Sequence, residues 1–467
     1  MMGTMWIAPG AVGDALCDPS GVQLGYRLVR FVVRTLLRLF YARIEVVGHE
    51  RIPLTGPLII AANHHNAAVD AMLIIATIPR PIRVLAKAPL FVNPIVGPFL
   101  RLMGAVPVHR RAEAGDDPRK NDELFAAAIG ALRDGGTLLI FPEGVSTPRP
   151  TLLPLRTGAA RILLGAECAG GSPLGTTILP IGLVLDDAGT FRRASGVVMI
   201  GNPVPLSDVL ARGESDESAV RAVTERLADA IRAQIVEAED HHTLDLLRTV
   251  EQAWSEERGS GDARRPEAAV AWRQRAMRAA REAARSDPRR VSELRQRIEA
   301  YRAHLDEAGL SSAELDDPWT PGAAIRRAGV AMAALVFGLP LALWGIVCHA
   351  APYLLVARSV RWLGRTSEEE ATDKMAAGLV LYPLVWCLEA WVSWELAGAV
   401  GLGIFAILLV PSGFAALAWR ERLHGLGRQM QALGRLLADR RLRDDLRAER
   451  DALVQELSTL AATVREQ

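Results

Sequence analysis

The sequence predicts an α/β domain with a mixed sheet flanked by helices, followed by charged helices and transmembrane helices. Short apolar runs alternate with helical stretches between residues 44 and 205, as in an α/β domain. Two later blocks, residues 329–357 and 376–419, are almost entirely apolar. A spanning helix needs about 20 apolar residues, so both blocks are long enough to enter a membrane.

These patterns divide the chain into five segments. We assign them as 1–43, an N-terminal region with an amphipathic membrane-surface helix; 44–235, the α/β domain; 236–320, a charged helical linker region; 321–420, membrane hairpins; and 421–467, a C-terminal amphipathic, coiled-coil-like helix.

The helix predicted at residues 24–43 carries a narrow stripe of arginines. Arg27, Arg30, Arg34 and Arg38 fall within an arc of about 80° at 100° per residue. A basic stripe on an apolar helix suits the surface of an anionic membrane. The alternative is an ordinary amphipathic helix packed on its own domain.

Six strands and four helices are predicted in the α/β domain. The strands are 44–47, 58–62, 83–86, 137–141, 178–185 and 196–200. The helices are 70–78, 94–104, 121–134 and 158–168. In a domain of this kind the chemistry is expected in the loops at the strand ends.

Composition limits the chemistry and the partners. The chain has 467 residues, 50% of them hydrophobic, and a formal net charge of +1, so no overall field favours nucleic acid. Cys17, Cys168, Cys348 and Cys387 lack metal-ligand spacing, which indicates small buried thiols in a reducing compartment and no metal site. The N-terminus lacks the order of a cleaved signal peptide, so the α/β domain is expected in the cytosol.

Flanking charges predict how the apolar blocks meet the membrane. The 376–419 block is long enough to cross twice, turning near residues 395–401, whereas the 329–357 block is too short and contains Pro340 and Pro352. Arginines flank both ends of the shorter block, and positive charge marks the cytosolic side. We therefore expect a re-entrant first block, and an integral membrane protein with its α/β domain on the cytoplasmic face.

The last segment has coiled-coil spacing. A 4-3-4 pattern relates Leu426, Met430, Leu433 and Leu437, and it recurs in Leu453, Leu457, Leu460 and Val464. Either a homodimer through this helix or packing on the rest of the chain would explain it, and the sequence does not choose.

A polar turn predicts the reaction centre. His64 and His65 follow the apolar run 58–62, and Asp70 lies five positions after His65 and six after His64. An imidazole and a carboxylate can form a general base with its orienting group. Five positions turn a helix by roughly 140° away from alignment, so the histidine must lie in the loop or first turn. We expect His65 to be the base, with His64 as the alternative.

A structural reading of the same turn carries no chemistry. In that reading Asn63 caps the following helix and both histidines face solvent.

Three further blocks follow at regular spacing. They read GAVPVHRR at 104–111, IFPEGVST at 140–147 with LLPLRTG at 152–158, and ILPIG at 178–182. In order and spacing the four blocks resemble the glycerol-phosphate acyltransferase family, with its patterns Asn-His-x4-Asp, Gly-x-x-Pro-x-x-Arg, Phe-Pro-Glu-Gly and a proline-containing apolar block. The fuller strings look most like the fungal-type glycerol-3-phosphate/dihydroxyacetone-phosphate acyltransferases.

The sequence departs from that pattern twice. The asparagine adjoins His64 rather than His65, which leaves the choice of base open. Ala67 and Ala68 replace a Gln-Phe pair of the fungal-type string, at a place where the change would reshape the acceptor pocket.

The residue types fit acyl transfer from a thioester to a hydroxyl. That reaction needs a base, an anchor for the acceptor's phosphate and donors for the oxyanion. Arg110 or Arg111 is expected to grip the phosphate through its forked guanidinium. Glu143 is expected to orient an arginine or the acceptor's hydroxyls, and Gly144 to let backbone N–H groups approach.

Two further positions complete the predicted site. Lys87 is a spare cation near it, and Pro180 belongs to the last block. No serine or cysteine nucleophile has a matching partner, so direct attack is favoured over an acyl-enzyme. No cofactor is expected beyond acyl-CoA or acyl carrier protein as the acyl donor.

The resemblance implies an acyltransferase that moves a fatty acyl group to glycerol 3-phosphate or dihydroxyacetone phosphate, with membrane lipids as partners. One rival within the family is a lysophosphatidate or other lysophospholipid acyltransferase. A rival of another class is a non-catalytic lipid-binding scaffold. The presence together of all the site residues, including His65, Asp70 and Arg110, argues against the scaffold.

Overall fold

A computed structural model describes most of the chain, and its residues form two compact units. The first unit comprises residues 1–239 and 365–376, and the second comprises residues 240–364 and 377–467. The residues described are 22–92, 96–108, 118–147, 149–168, 173–186, 191, 194–210, 216–257, 266–315, 321–363, 370–439 and 441–463.

A seven-stranded mixed sheet lies at the centre of the first unit, which confirms the predicted fold class. Its strand order is β1-β7-β6-β2-β5-β3-β4, and every neighbouring pair is parallel except β6 and β7. The strands are β1 Arg43–Val47, β2 Leu58–Ala62, β3 Ile82–Lys87, β4 Val106–Val108, β5 Thr137–Ile140, β6 Thr177–Asp186 and β7 Ser195–Ile200.

Helices cover both faces of this sheet. They are α1 Val22–Phe40, α2 Ala67–Thr77, α3 Val96–Leu102, α4 Pro118–Arg133, α5 Gly158–Cys168, α6 Ser207–Leu210 and α7 Glu217–Arg232, with short 3-10 helices at His49–Arg51 and Ala88–Val92. The helices α1, α2 and α3 contribute to one buried cluster, and α4, α5 and α7 to another on the opposite face.

The central strand β2 shows why the sheet is buried on both sides. All five of its residues are fully buried. Successive side chains of a strand point to opposite faces. Accordingly Leu58, Ile60 and Ala62 join the cluster beneath α2, while Ile59 and Ala61 join the cluster beneath α5. An uninterrupted apolar run is therefore what this position requires.

The arginine-bearing helix α1 packs on its own domain through one face and exposes apolar residues on another. The buried face consists of Tyr26, Val29, Val33, Leu37 and Phe40. Leu24, Leu28 and Phe31 are 74%, 58% and 69% exposed. Arg34 Nε donates to the backbone oxygen of Ala76 at 3.1 Å. The helix thus packs as the alternative interpretation expected, while membrane contact through its exposed face stays a proposal.

The second unit is helical. It contains α8 His241–Glu257, α9 Pro266–Ser286, α10 Pro288–Ala308, a 3-10 helix Ser312–Leu315, α11 Pro321–Leu363, most of α12 Glu370–Ala438, and α13 Leu442–Thr463. Leu446 and Leu453 of α13 are buried in a cluster with residues of α8 and α10. The C-terminal helix therefore packs on its own chain, and these leucines give no support to the predicted homodimer.

Two helices are long and apolar enough to cross a membrane. They cover Ile325–Trp362 and Thr372–Leu436, and their most apolar stretches are only 17% and 11% buried, unlike the core helix of a soluble protein. The second helix is interrupted at Ala397 and Gly398, whose dihedral angles are not helical. This interruption lies inside the predicted turn at 395–401.

Polar contacts join these apolar segments. Trp419 Nε1 donates to the backbone oxygen of Leu335 at 2.9 Å, and the His349 Nε2 atom lies 2.9 Å from the backbone oxygen of Leu409. Because 335 pairs with 419 and 349 with 409, the two segments run antiparallel. Their exposed apolar surfaces indicate membrane association.

Candidate active site

Parallel strand pairing brings the predicted site residues to one edge of the sheet. Strand β2 lies between β5 and β6, and Ala61 is opposite both Ile140 and Pro180. The turn that follows β2 and the turn that follows β5 therefore leave the sheet side by side. The backbone N–H of Thr147 donates to the oxygen of His64 at 3.1 Å and ties the two turns together.

Asp70 organises the turn after β2. It lies in the first turn of α2 and is fully buried. Its Oδ2 atom is 2.9 Å from His64 Nδ1 and accepts the backbone N–H groups of His65 at 2.7 Å and Asn66 at 2.8 Å. One carboxylate oxygen thus fixes both an imidazole and the main chain leading to it.

These contacts correct the predicted histidine pairing. The imidazole that contacts Asp70 belongs to His64, six positions away, and not to His65. His65 donates its backbone N–H to Asp70, and its ring makes a different contact. The Nδ1 atom of that ring lies 2.9 Å from the backbone oxygen of Thr147.

Both the ring and the main chain of His64 are fixed by neighbouring residues. The ring stacks on Phe141 with ring centroids 4.0 Å apart and an interplanar angle of 14°. Its Nδ1 faces Asp70, and its backbone N–H donates to Glu143 Oε1 at 2.8 Å. With the Nδ1 proton directed at the carboxylate, Nε2 is the nitrogen that can accept a proton. The side chain is 18% exposed, so the imidazole is not sealed inside the protein.

Asn63 does not cap a helix. Its buried side chain accepts the backbone N–H of Leu183 at 2.7 Å and donates to the oxygen of the same residue at 3.0 Å. It therefore ties the end of β2 to β6. The interpretation in which Asn63 caps the helix and both histidines face solvent is wrong.

Glu143 supports the main chain rather than a ligand. It is 3% exposed. Its Oε2 atom accepts the backbone N–H of Leu153 at 2.9 Å, and its Oε1 atom accepts the backbone N–H of His64. Burial raises the pKa of Glu143, against the lowering effect of those two N–H donors and of the nearby histidines. Both oxygens are used inside the protein, so the expected contact with an arginine or a hydroxyl is not what the structure shows.

Gly144 gives room to an arginine that sequence reasoning missed. Its φ is +73°, and a Cβ placed there would lie 2.6 Å from Arg156 Nε. The backbone N–H of Arg156 donates to the oxygen of Pro142 at 2.8 Å, so this cation is fixed beside the turn that carries Glu143. Its side chain is exposed. The only signal in the sequence was its place at the end of the block 152–158.

A second missed feature is the backbone at Ala67. Among the described residues, Ala67 is the one residue other than glycine with a positive φ, which is +43°. Its N–H donates to Ser146 Oγ at 3.1 Å. Such a conformation costs free energy and persists where neighbouring contacts hold it. The turns after β2 and β5 thus stabilise each other.

The remaining predicted residues are only partly described. Arg110 and Arg111 lie outside the described residues, as does the side chain of Lys87, the last residue of β3. Pro180 lies in β6 beside β2, and its oxygen accepts the N–H of Gly201 at 2.9 Å. Their proposed contacts with substrate remain predictions.

Comparison with known proteins gives the class of this chain. An acyltransferase family model matches residues 43–184. The 1-acyl-sn-glycerol-3-phosphate acyltransferase of Borreliella burgdorferi is 31% identical over 217 residues, which are 46% of this chain and 78% of that protein. The chain therefore belongs to the acyltransferase family.

More distant relatives include both acceptor types. Glycerol-3-phosphate O-acyltransferase 1 of Saccharomyces cerevisiae is 27% identical over 258 residues, which are 52% of this chain but only 32% of that protein. The crystal structure of the 1-acyl-sn-glycerophosphate (LPA) acyltransferase PlsC from Thermotoga maritima shows 22% identity and a TM-score of 0.34, over 46% of this chain and 79% of that one. No subtype is favoured by these identities.

Proposed function

We propose that this protein is a glycerolipid acyltransferase that transfers a fatty acyl group from acyl-CoA or acyl carrier protein to a glycerol phosphate hydroxyl. The contact of 2.9 Å between His64 Nδ1 and the buried Asp70 carboxylate carries the proposal. It supplies an oriented base at the carboxyl ends of parallel strands, in a chain of the acyltransferase family.

His64 acts as the general base in the proposed reaction. Its Nε2 takes the proton of the acceptor hydroxyl as the hydroxyl oxygen attacks the thioester carbon. Asp70 stabilises the imidazolium that forms. The C–S bond then breaks, and the imidazolium returns its proton to the leaving thiolate, so the product is an ester and the by-product a thiol. A positioned base of this kind contributes about 10²- to 10⁴-fold to the rate.

Direct attack fits the contacts of the nearby hydroxyls. Ser146 Oγ accepts the N–H of Ala67, and no described histidine is hydrogen-bonded to it. A serine nucleophile would need an adjacent base. The acyl group is therefore proposed to pass to the acceptor without an acyl-enzyme.

Cations on two sides of the turn are proposed to bind the acceptor's phosphate. The side chain of Arg156 lies against Gly144. The backbone N–H of Arg156 donates to the oxygen of Pro142, two positions before Gly144. A guanidinium binds phosphate through two parallel N–H groups. Arg110 and Arg111 follow β4, whose carboxyl end lies at the same edge of the sheet. Lys87 ends the neighbouring strand β3.

Glycerol 3-phosphate is the proposed acceptor, and lysophosphatidate is the second candidate. The block strings at 104–111 and 140–158 support the first. The second is favoured by the extent of the match to the Borreliella enzyme, a 1-acyl-sn-glycerol-3-phosphate acyltransferase. Both acceptors present a phosphate and a free hydroxyl to the same base.

Membrane lipids are the proposed surroundings of the enzyme. The two apolar helices and the exposed leucines of α1 support this proposal. The arginine bias predicted from the sequence supports a catalytic domain on the cytoplasmic face. A lipid-binding scaffold without activity would not need a buried carboxylate that orients an imidazole.

A parallel assay tests the function. The purified protein is offered labelled acyl-CoA or acyl carrier protein with glycerol 3-phosphate, dihydroxyacetone phosphate and lysophosphatidate. We expect ester formation with glycerol 3-phosphate that is lost in Asp70→Asn. Activity with lysophosphatidate alone would assign the second acceptor, and no transfer to any of them would contradict the proposal.

A further inference from the structure

Asp70 uses only one of its two carboxylate oxygens in the contacts described above. Oδ2 faces three N–H groups, whereas Oδ1 is buried and has no hydrogen-bond partner among the described residues. A buried oxygen of a carboxylate that lacks a donor is unfavourable, and most such atoms in folded proteins are satisfied by protein or by ordered water.

The hydroxyl of Tyr41 is a buried donor that could complement this buried acceptor. Tyr41 lies in the corner between α1 and β1, is 2% exposed, and its hydroxyl is buried without a partner in the described part of the chain. Its ring packs on Phe40, and it shares a buried cluster with Val69, the neighbour of Asp70. The donor therefore lies in the core that is formed in part by Val69, in the first turn of α2 that also carries Asp70.

The charge of Asp70 also acts on the Tyr41 hydroxyl. Burial, and after it the negative charge of Asp70, raise the pKa of the Tyr41 hydroxyl. A hydroxyl with a raised pKa keeps its proton at neutral pH and remains a donor. The two atoms form no direct hydrogen bond, so a water molecule is the group that would join them.

We propose that Tyr41 is a positioning residue whose hydroxyl donates through one buried water to Asp70 Oδ1. Buried waters typically make about three hydrogen bonds to groups that are otherwise unsatisfied. The carboxylate is then held from two directions, by the turn of His64 on Oδ2 and by the corner of α1 on Oδ1. The catalytic part of this inference rests on the proposed function, whereas the hydrogen bond itself does not.

The proposed bridge positions the His64–Asp70 pair. A donor on Oδ1, added to the N–H groups on Oδ2, holds the carboxylate in the orientation in which Oδ2 meets His64 Nδ1. Without that donor the carboxylate is held from one side only, so it orients the imidazole less well.

Tyr41→Phe tests the role in catalysis against Tyr26→Phe as a matched control. Tyr26 is also a buried tyrosine, at 5% exposure on α1, but its hydroxyl donates to the oxygen of Arg80 at 3.0 Å, away from the site. We expect kcat to fall about tenfold in Tyr41→Phe, which corresponds to the loss of one modest hydrogen bond in the transition state. KM should be unchanged, which separates an effect on the His64–Asp70 pair from a loss of substrate binding. Tyr26→Phe should keep the kcat of the wild type.

Two measurements test the bridge without activity. A high-resolution crystal structure of the wild-type protein should show a water within about 3.2 Å of both Tyr41 Oη and Asp70 Oδ1. A double-mutant cycle on unfolding, with Tyr41→Phe and Asp70→Asn, should be non-additive, while the cycle with Tyr26→Phe should be additive.

The outcomes separate the two proposals. A wild-type protein that transfers no acyl group, yet shows the water and the coupling, would remove the proposed function and leave the bridge. Additive unfolding together with a Tyr41 hydroxyl bonded elsewhere would overturn the bridge, and so would a kcat of Tyr41→Phe equal to that of Tyr26→Phe. Should Tyr41→Phe fail to fold, the wild-type crystal structure decides.

Discussion

The carboxylate of Glu143 accepts the backbone N–H of His64 at 2.8 Å, so the turn after β5 fixes the main chain of the histidine whose ring contacts Asp70. The other oxygen of Glu143 accepts the N–H of Leu153 at 2.9 Å. A Phe-Pro-Glu-Gly turn therefore shapes the base before any substrate binds, and this relationship gives the first prediction.

Glu143→Gln should lower kcat by about 10- to 100-fold with little change in KM. A glutamine has one carbonyl oxygen for two N–H donors, so one of them is left unsatisfied at a cost of about 1–3 kcal/mol. The His64 main chain should shift in response. Steady-state kinetics checks this result, and a variant as active as the wild type would show that the contact is dispensable.

The same residue predicts a pH dependence of stability. Burial raises the pKa of Glu143 above its ordinary value of 4.5. Its stabilising contribution is therefore present below pH 4.5 and is lost as the pH rises through the raised pKa. Relative to Glu143→Gln, the wild type should lose free energy of unfolding across that window. Thermal unfolding in detergent at a series of pH values measures the difference. A wild type that gains stability over Glu143→Gln as the pH rises would contradict the assignment.

Gly144→Ala should destabilise the protein by about 1–2 kcal/mol, the cost of a left-handed backbone in an L-residue. It should also displace Arg156, whose Nε would lie 2.6 Å from the new Cβ. Gly130→Ala is the control, because it lies within α4 and a Cβ there meets nothing within 4 Å. That variant should be neutral or more stable by about 0.5–1 kcal/mol. Equal stability of the two variants would refute the steric account.

Arg156→Ala should raise KM for the phosphorylated acceptor far more than KM for the acyl donor. A charge-assisted contact contributes about 1.5–3 kcal/mol, which is roughly ten- to hundredfold in affinity. Arg161→Ala is the control, since Arg161 lies on α5 and pairs with Glu217 at 2.7 Å. Equal effects of Arg156→Ala on both substrates would assign this arginine to the phosphates of the donor. Arg110→Ala and Arg111→Ala are expected to act like Arg156→Ala.

Cysteine labelling tests the membrane arrangement. In a background without native cysteines, Ser367→Cys and Gly398→Cys are probed in intact cells with a membrane-impermeant thiol reagent. Two returning hairpins require that Ser367 is protected and that the turn at Gly398 reacts. Labelling at Ser367 would mean that the preceding block crosses the membrane once.

The fold was predictable wherever one local pattern decided it. The apolar run of β2 and the periodic helices around it predict the α/β domain, which the sheet confirms. Strand β4 was missed because it has three residues and contains Pro107, which leaves no alternation to read. Its pairing with β3 comes from tertiary context.

The site was predictable in composition and less so in geometry. The sequence predicted that Asp70 partners one of two adjacent histidines. Which ring it contacts depends on Oδ2 accepting the backbone N–H of His65, and sequence spacing does not reveal that hydrogen bond. Asn63 finds its partner Leu183 across 120 positions. Arg156 reaches the site only because Gly144 has no side chain. Contacts of this kind belong to the folded chain.

The central claim is that His64 is the base held by Asp70, and two alanine variants test it most directly. His64→Ala should lose about 10²- to 10⁴-fold in kcat while remaining folded, and Asp70→Asn added to it should make little further difference, because the pair acts as one unit. His65→Ala should stay within about tenfold of the wild type, since the hydrogen-bond partner of its ring is the backbone oxygen of Thr147 and not Asp70. Near-normal activity of His64→Ala together with an inactive, folded His65→Ala would contradict the account.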